Sequence, residues 1–306
     1  MDFRIFIEPQ QGASYEQQLR VAQRAEQLGF DAFFRSDHYL RMGPGSPLPG
    51  PTDSWVTLAG IARETSTIRL GTLLTSATFR LPGILAISVA QVDQMSGGRV
   101  ELGLGAGWFE EEHAAWGISF PSTSERFEKL EEQLQIIKGI WCTPEGSSFN
   151  YSGSHYTPAD CPALPKTAQA LHPPIVVGGL GPSKTPALAA KYADEYNAPF
   201  ASVDLCRTQF AAVRDAAEKA GRDPEEIVTS VALVACMSND PKVLKERASS
   251  IGRELSELEK NGLSGTSEQV LERIELYRAV GATRIYLQIL DLNDLEHLDD
   301  LAGSLL

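Results

Sequence analysis

No stretch of this chain approaches the ~20 uninterrupted apolar residues that a membrane helix needs. The opening Met1-Asp2-Phe3-Arg4 enters a short apolar run without signal-peptide architecture, so a cytoplasmic location is the expectation. Cysteine is scarce: Cys142, Cys161, Cys206 and Cys236 show no C-x-x-C spacing, which indicates neither a zinc site nor a redox pair. Cys142 and Cys161 flank a loop-rich segment and could pair only in an oxidising compartment. Positive charge is short too, with 27 Lys and Arg against 40 Asp and Glu and a formal net charge of −13. Such a balance repels nucleic acid and anionic membrane, so a phosphate-bearing ligand would need a local site of capture. A small molecule is the default partner. Also missing is any G-x-G-x-x-G after the first apolar run, where an open dinucleotide-binding sheet would carry it.

What is present is a rhythm. Short β-rich runs alternate with longer amphipathic stretches, which predicts repeated βα units and a parallel sheet. Strands are expected over residues 3–7, 31–35, 68–74, 99–104, 174–177, 194–198, 227–235 and 283–289. Between them, Leu19, Ala22, Ala25 and Leu28 recur at helical spacing before Gly29, Asp53 and Ser54 can cap a helix, and Thr266-Ser267-Glu268-Gln269 reads as a capping box. Residues 142–173 break the rhythm, rich in Ser, Gly and Pro, with a small hairpin expected over 149–156. Eight strands with alternating helices make an α/β fold of the (β/α)8 TIM-barrel type, a single domain over 1–306 with an insertion before strand five. A doubly wound open sheet is the alternative, because periodicity does not reveal closure.

In a barrel, chemistry sits at the carboxyl ends of the strands. That rule selects Ser36-Asp37-His38, the stretch from Leu73 to Arg80, Gly105-Ala106-Gly107-Trp108 and Gly178-Gly179-Leu180-Gly181. His38 can exchange a proton near neutrality, or be a loop histidine bonded to a neighbour. Asp37 could orient His38 or bond a ligand edge; it is also a common turn residue. Gly105 and Gly107 remove side chains where a flat ligand might press on the backbone, or simply make a tight turn. Trp108 could wall a pocket or pack beneath a helix. Gly178 and Gly179 expose amide N–H groups ahead of a helix start, with Lys184 and Thr185 supplying a charge and a hydroxyl for a phosphate. Glu110-Glu111-Glu112 with His113 invites a metal reading, but adjacent carboxylates diverge on a helix and no second histidine stands at i+4. A charge run favoured by the helix dipole is the expectation there, with no metal.

Taken in order, these pieces resemble the luciferase-like family of flavin- and F420-dependent oxidoreductases. The resemblance runs through Leu28-Gly29-Phe30-Asp31, Ser36-Asp37-His38, Arg69-Leu70-Gly71-Thr72, Thr78-Phe79-Arg80-Leu81-Pro82, Asp93-Gln94-Met95-Ser96-Gly97-Gly98-Arg99, Gly103-Leu104-Gly105-Ala106-Gly107-Trp108 and Pro174-Ile175-Val176-Val177-Gly178-Gly179. The S-D-H form looks like the deazaflavin-using branch, implying coenzyme F420, with FMN the alternative. The resemblance implies a TIM barrel and a non-prolyl cis peptide around Thr72-Leu73-Leu74. Thr72, Leu73, Leu74 and Thr75 would back the cofactor ring, with Asp37 and His38 at its reactive face and Gly178 and Gly179 on its phosphate. It also implies a homodimer and hydride transfer to or from a small organic substrate. Reduced-FMN-dependent monooxygenation, or binding with little turnover, are the rival readings. The sugar-phosphate dehydrogenase of this family carries a glutamate after the second strand-four glycine and a tryptophan shortly after S-D-H. Trp108 and Met42 stand nearby here, so glucose-6-phosphate chemistry is not carried over. The loops over residues 42–51 and 142–173 are expected to shape the substrate site.

Overall fold

The computed structural model describes residues 1–43 and 45–306. Its strands are β1 (Asp2–Ile7), β2 (Ala32–Arg35), β3 (Arg69–Thr72), β4 (Thr75–Ser76), β5 (Val100–Gly105), β6 (Ile175–Gly178), β7 (Glu195–Pro199), β8 (Val228–Met237), β9 (Leu263–Gly265) and β10 (Arg284–Ile289). Eight of them pair in the order β1-β2-β3-β5-β6-β7-β8-β10, and β10 returns to β1 with Asp2 opposite Arg284 and Ile7 opposite Ile289. All pairings are parallel, so the barrel is closed and the open sheet is excluded. β4 prolongs the β3 line against β5, and β9 adds to the far end of β8.

The helices are α1 (Tyr15–Leu28), α2 (Ser54–Glu64), α3 (Pro82–Ser96), α4 (Glu110–Trp116), α5 (Thr123–Cys142), α6 (Lys184–Tyr192), α7 (Val203–Lys219), α8 (Pro241–Ser250), α9 (Leu255–Asn261), α10 (Ser267–Ala279) and α11 (Leu295–Leu305). Local chemistry fixes their ends. Ser14 and Gln17 form a capping box on α1, and Gly29 closes it in the left-handed region at φ 91°. Asp53 accepts from the Trp55 and Val56 amides, and Thr266 with Gln269 forms the expected capping box on α10. None of the described helices is long and apolar enough to cross a membrane.

Strand periodicity sorts the core into two layers. Ile5 and Ile7 of β1 and Ile285, Leu287 and Ile289 of β10 pack outward against the helices. Phe6, Phe34, Val176, Ala232 and Tyr286 turn inward and fill the lumen. Each fully buried aliphatic or aromatic chain here contributes about 1.5–3 kcal/mol. Below that layer the lumen is ionic. Arg4 binds both Glu101 oxygens (2.6 and 3.0 Å) and Asp31 (2.7 Å), Arg69 reaches Glu101 (2.5 Å), and Arg284 pairs with Glu195. Arg4 and Glu101 lie on β1 and β5, and Arg284 and Glu195 on β10 and β7, so these two pairs bridge non-neighbouring strands through the barrel interior. Burial alone would raise the Glu101 carboxyl, but Arg4, Arg69 and Arg284 outweigh it and hold it at about 2.

Two elements differ from expectation. The third strand, expected over 68–74, stops at Thr72; the Leu73–Leu74 peptide is cis and the line resumes as β4. The expected hairpin is wider, with Phe149 and Cys161 exchanging backbone bonds and Tyr151 paired to Pro158. Glu132 of α5 pins its tip by accepting from the Ser154, His155 and Tyr156 amides. Cys142 and Cys161 are free thiols.

His297 offers a pH test of the fold. It is buried and accepts the Met237 amide through Nε2 (3.1 Å). Burial first, then the Arg247 charge, pushes the imidazole down to about 4. The unfolded chain takes up this proton near 6.5, so the contribution to stability is full above that pH and is lost as pH falls toward 4. The loss amounts to at most about 3 kcal/mol. His297→Gln retains an acceptor and should flatten the melting-temperature decline between pH 6.5 and 4. Thermal melts that fall equally steeply in both proteins would assign the decline to other groups.

Candidate active site

A cleft of about 510 Å³ opens where the strands end, within the range of small-molecule sites. His38, Leu73, Leu74, Thr75, Gly105, Gly107, Trp108, Gly178 and Gly179 all line it. A side chain at Gly178 would run into the Asn197 carbonyl at 2.9 Å and Leu74 at 3.0 Å, and Gly179 has φ +134°; both positions need glycine.

Three expected site residues do not reach the cleft. The buried Asp37 carboxylate accepts from Thr75 Oγ1 (2.9 Å) and Arg80 Nη1 (2.5 Å), and Arg80 continues to Asp53 (2.6 Å). Asp37 is thus engaged in anchoring the Ser36–His38 turn and does not line the cleft. Thr72 turns its hydroxyl onto the Gly103 carbonyl (3.0 Å) and is fully buried. Lys184 starts α6 but leans onto α5, donating to Ser124 Oγ (3.1 Å) with its Nζ 5.5 Å from the Phe127 ring centroid. The segments 142–173 and, among its described residues, 42–51 contribute nothing to the lining; Pro44 lies outside the described residues.

His38 does not stand alone. Its Nδ1 lies 2.9 Å from Glu112 Oε2, and Glu112 Oε1 accepts the Tyr39 and Leu40 amides. Trp116 Nε1 adds a bond to the Tyr39 carbonyl (2.9 Å), so α4 clamps the whole turn. A carboxylate that already accepts two N–H groups calls for a proton on Nδ1, which leaves Nε2 as the exchanging nitrogen of the ring. Trp108 meets the His38 ring edge-on at 5.8 Å and stacks on Phe109 at 5.1 Å. Glu8, just past β1, lines the same cleft; burial pushes its carboxyl above the ordinary range against the pull of His38.

Glu112 is thus not part of a solvated charge run. Glu110 and Glu111 face solvent, whereas Glu112 is 0% exposed. Its spacing gave no signal, since Trp116 four residues on is itself exposed and Trp108 lies before the helix. His113, next to it, bonds the Phe109 carbonyl and Thr78.

A second group of polar atoms lines the cleft around Arg126. Its guanidinium lies 3.9 Å over the Phe120 ring and binds the Pro121 carbonyl (2.5 Å) and Thr123 Oγ1 (3.3 Å). Its buried Nε has no hydrogen-bond partner among the described residues. Gly178 to Gly181 and Thr185 line the cleft as well, and α6 has no side-chain cap on its first turn. An unpartnered guanidinium N–H, two threonine hydroxyls and uncapped amides suit an anionic oxygen. The phosphate of a flavin-type cofactor fits this donor set, with Arg126 in the part expected of Lys184.

The chain is a closed parallel TIM barrel that carries a histidine–carboxylate pair and a set of hydrogen-bond donors in one cleft. Residues 1–257 match the model of the luciferase-like monooxygenase family, and the chain belongs to that family. An F420-dependent glucose-6-phosphate dehydrogenase of Microbacterium testaceum is 32% identical over 211 residues, 67% of this chain and 59% of the relative. An F420-dependent hydroxymycolic acid dehydrogenase of Mycobacterium tuberculosis is 34% identical over 221 residues, 72% of this chain and 58% of the relative. The match thus spans about three-fifths of these relatives' length. Among solved structures, an F420-dependent secondary alcohol dehydrogenase shares the fold at TM-score 0.83 and 20% identity, over 99% of this chain and 98% of that one. A monooxygenase from Streptomyces bottropensis does so at 0.81 and 22%, over 100% and 98%.

Proposed function

We propose that this protein is an F420-dependent oxidoreductase that transfers a hydride between the deazaflavin and a small organic substrate. One observation carries the reading: a single cleft joins the His38–Glu112 pair to the Arg126 guanidinium, whose Nε has no partner among the described residues. The F420-dependent relatives support it. When bound, the cofactor supplies hydride transfer at its ring. The chain's own work is binding, orientation and proton handling. Arg126, Thr185 and the Gly178–Gly181 amides hold the phosphate, while Leu73, Leu74 and Gly105 offer the ring an apolar face. His38 Nε2 takes or returns the proton of the substrate oxygen, Glu112 holds the imidazole in place, and Asp37 positions the turn through Arg80.

Reduced-FMN monooxygenation is the second reading, favoured by the monooxygenases that share this barrel. Titrating the purified protein with each cofactor separates the two. Tighter binding of F420, with turnover, supports the first; tighter binding of FMN overturns it. Tight F420 binding without hydride exchange would leave a carrier protein. Arg126→Met keeps the alkyl stem and removes the charge-assisted donor, so F420 affinity should fall about 10- to 100-fold in a fluorescence titration. An unchanged affinity would put the phosphate elsewhere.

The whole chain acts as one cytoplasmic domain in this reading. It pairs as a homodimer, which the exposed Leu81 at the N-cap of α3, Ile84 and Ile87 within α3 and Val56 of the adjacent α2 support.

A further inference from the structure

The ionic plug of the lumen is wired to the cleft above it. Side chains alternate along β7, so Glu195 in the plug and Asn197 and Pro199 at the cleft share the inward side. Ser230 of β8 stands opposite Asn197 in the parallel register. A run of hydrogen bonds climbs these positions. Arg284 pairs with Glu195, Ser230 Oγ donates to Glu195 Oε1 (2.6 Å), and Asn197 Nδ2 donates to Ser230 Oγ (2.9 Å).

Proton counting fixes the direction of this run. A serine hydroxyl has one hydrogen, and the atoms within its reach are the arginine-paired Glu195 Oε1 and the Tyr196 carbonyl (3.3 Å), both acceptors. Ser230 therefore accepts from Asn197, which sets the amide with its nitrogen toward Ser230 and its Oδ1 turned away. No described residue donates to that Oδ1. Trp108 and Phe200 line the same cleft at 64% and 49% exposure and mark its mouth, whereas Asn197 is 1% exposed and lies deep. A buried oxygen held in one orientation and left unpaired calls for a hydrogen-bond donor from the ligand.

Its place along the cleft points to the donor. Asn197 pairs with Gly178 across β6 and β7, and a Cβ on Gly178 would lie 3.3 Å from Asn197 Cβ and 3.0 Å from Leu74 Cδ1. Asn197 thus stands between the apolar face of Leu73, Leu74 and Gly105 and the Gly178–Gly181 loop. In a flavin-type cofactor a polyol chain joins the ring to the phosphate, and its hydroxyls are donors. We infer that Asn197 Oδ1 accepts a hydroxyl hydrogen of that chain, with Ser230 and Glu195 as positioning residues that hold the amide in the accepting orientation. This rests on the F420 reading and deepens it. The plug then has a part in ligand recognition as well as in holding the barrel together.

The test uses the full chain and fluorescence titrations of three probes: F420, a deazaflavin that keeps the polyol but lacks the phosphate, and a ring-only deazaflavin with a methyl in place of the polyol. Asn197→Leu keeps the size of the side chain and removes the acceptor, so a ligand hydroxyl is buried unpaired. Affinity for the two polyol-bearing probes should fall roughly 10- to 100-fold, with the ring-only probe within about twofold of the parent. Ser230→Ala leaves Asn197 in place and frees its amide to turn, and should weaken the same two probes roughly threefold. A cleft merely distorted by substitution would weaken all three probes alike, and that result overturns the proposal. So does unchanged affinity in both variants, which would leave Oδ1 to the substrate. In either case F420 binding by the parent protein keeps the cofactor reading standing. A parent protein that binds none of the three removes the cofactor reading, and the proposal with it.

Discussion

A His38→Ala enzyme binds F420 within about threefold of the parent and loses roughly 10²- to 10⁴-fold in turnover, the span that one positioned acid–base group supplies. The expectation follows from where the ring sits. Nδ1 is committed to Glu112, Trp108 covers one edge, and Nε2 is left to the ligand space. The proposed phosphate contacts involve Arg126 and the Gly178–Gly181 loop, none of which bonds His38, so cofactor affinity and turnover separate. Glu112→Gln should lower turnover less, because the amide oxygen can still accept from Nδ1, and should shift the pH profile, since the neutral amide no longer stabilises the protonated ring. Steady-state rates with F420 titrations decide it. Turnover unchanged in His38→Ala would remove the imidazole from the chemistry.

The largest expected effect on folding lies below the cleft. Arg4→Met should destabilise the barrel by about 3–5 kcal/mol, the cost of leaving a buried carboxylate without its main partner. Arg4 gives Glu101 two of its three close contacts, one to each oxygen, Arg69 gives the third, and Glu101 is buried. The wild-type pair is stabilising above pH ~4.5, where the unfolded chain is already ionised, and is lost as pH falls toward 2. Adding Glu101→Gln to Arg4→Met should recover part of the loss, because the stranded charge disappears. Denaturant melts of the single and double variants measure both. A single variant within 1 kcal/mol of wild type would show that solvent reaches the network.

The barrel was legible because each long strand announces itself through β-branched and aromatic residues, and each helix through apolar spacing and caps. β9 was not: three residues, Leu263–Gly265, ending in glycine, carry no periodicity. The break after Thr72 was invisible to periodicity because Leu73, Leu74 and Thr75 continue a strand-like pattern; the family resemblance alone pointed there. At the site, glycines and His38 were readable since strand-end position nearly determines their exposure. Asp37 and Lys184 misled for one reason. Both are charged residues at favoured places, and the partners that turn them away, Arg80 and Ser124, are 43 and 60 residues distant. Arg126 and Glu112 were hidden by the converse. Each looks like an ordinary surface charge on a polar helix until α5 and α4 are folded over the barrel mouth.

The ionic plug formed by Arg4, Glu101, Glu195 and Arg284 has a kinetic corollary. With the lower lumen filled, the chamber above it is a cul-de-sac, and reactants and products share one doorway beside Trp108 and Phe200. Whatever lodges deepest departs last. For the proposed reaction such a vessel would impose a sequence of arrivals and exits, with surplus late-arriving reactant slowing the release of the earlier one.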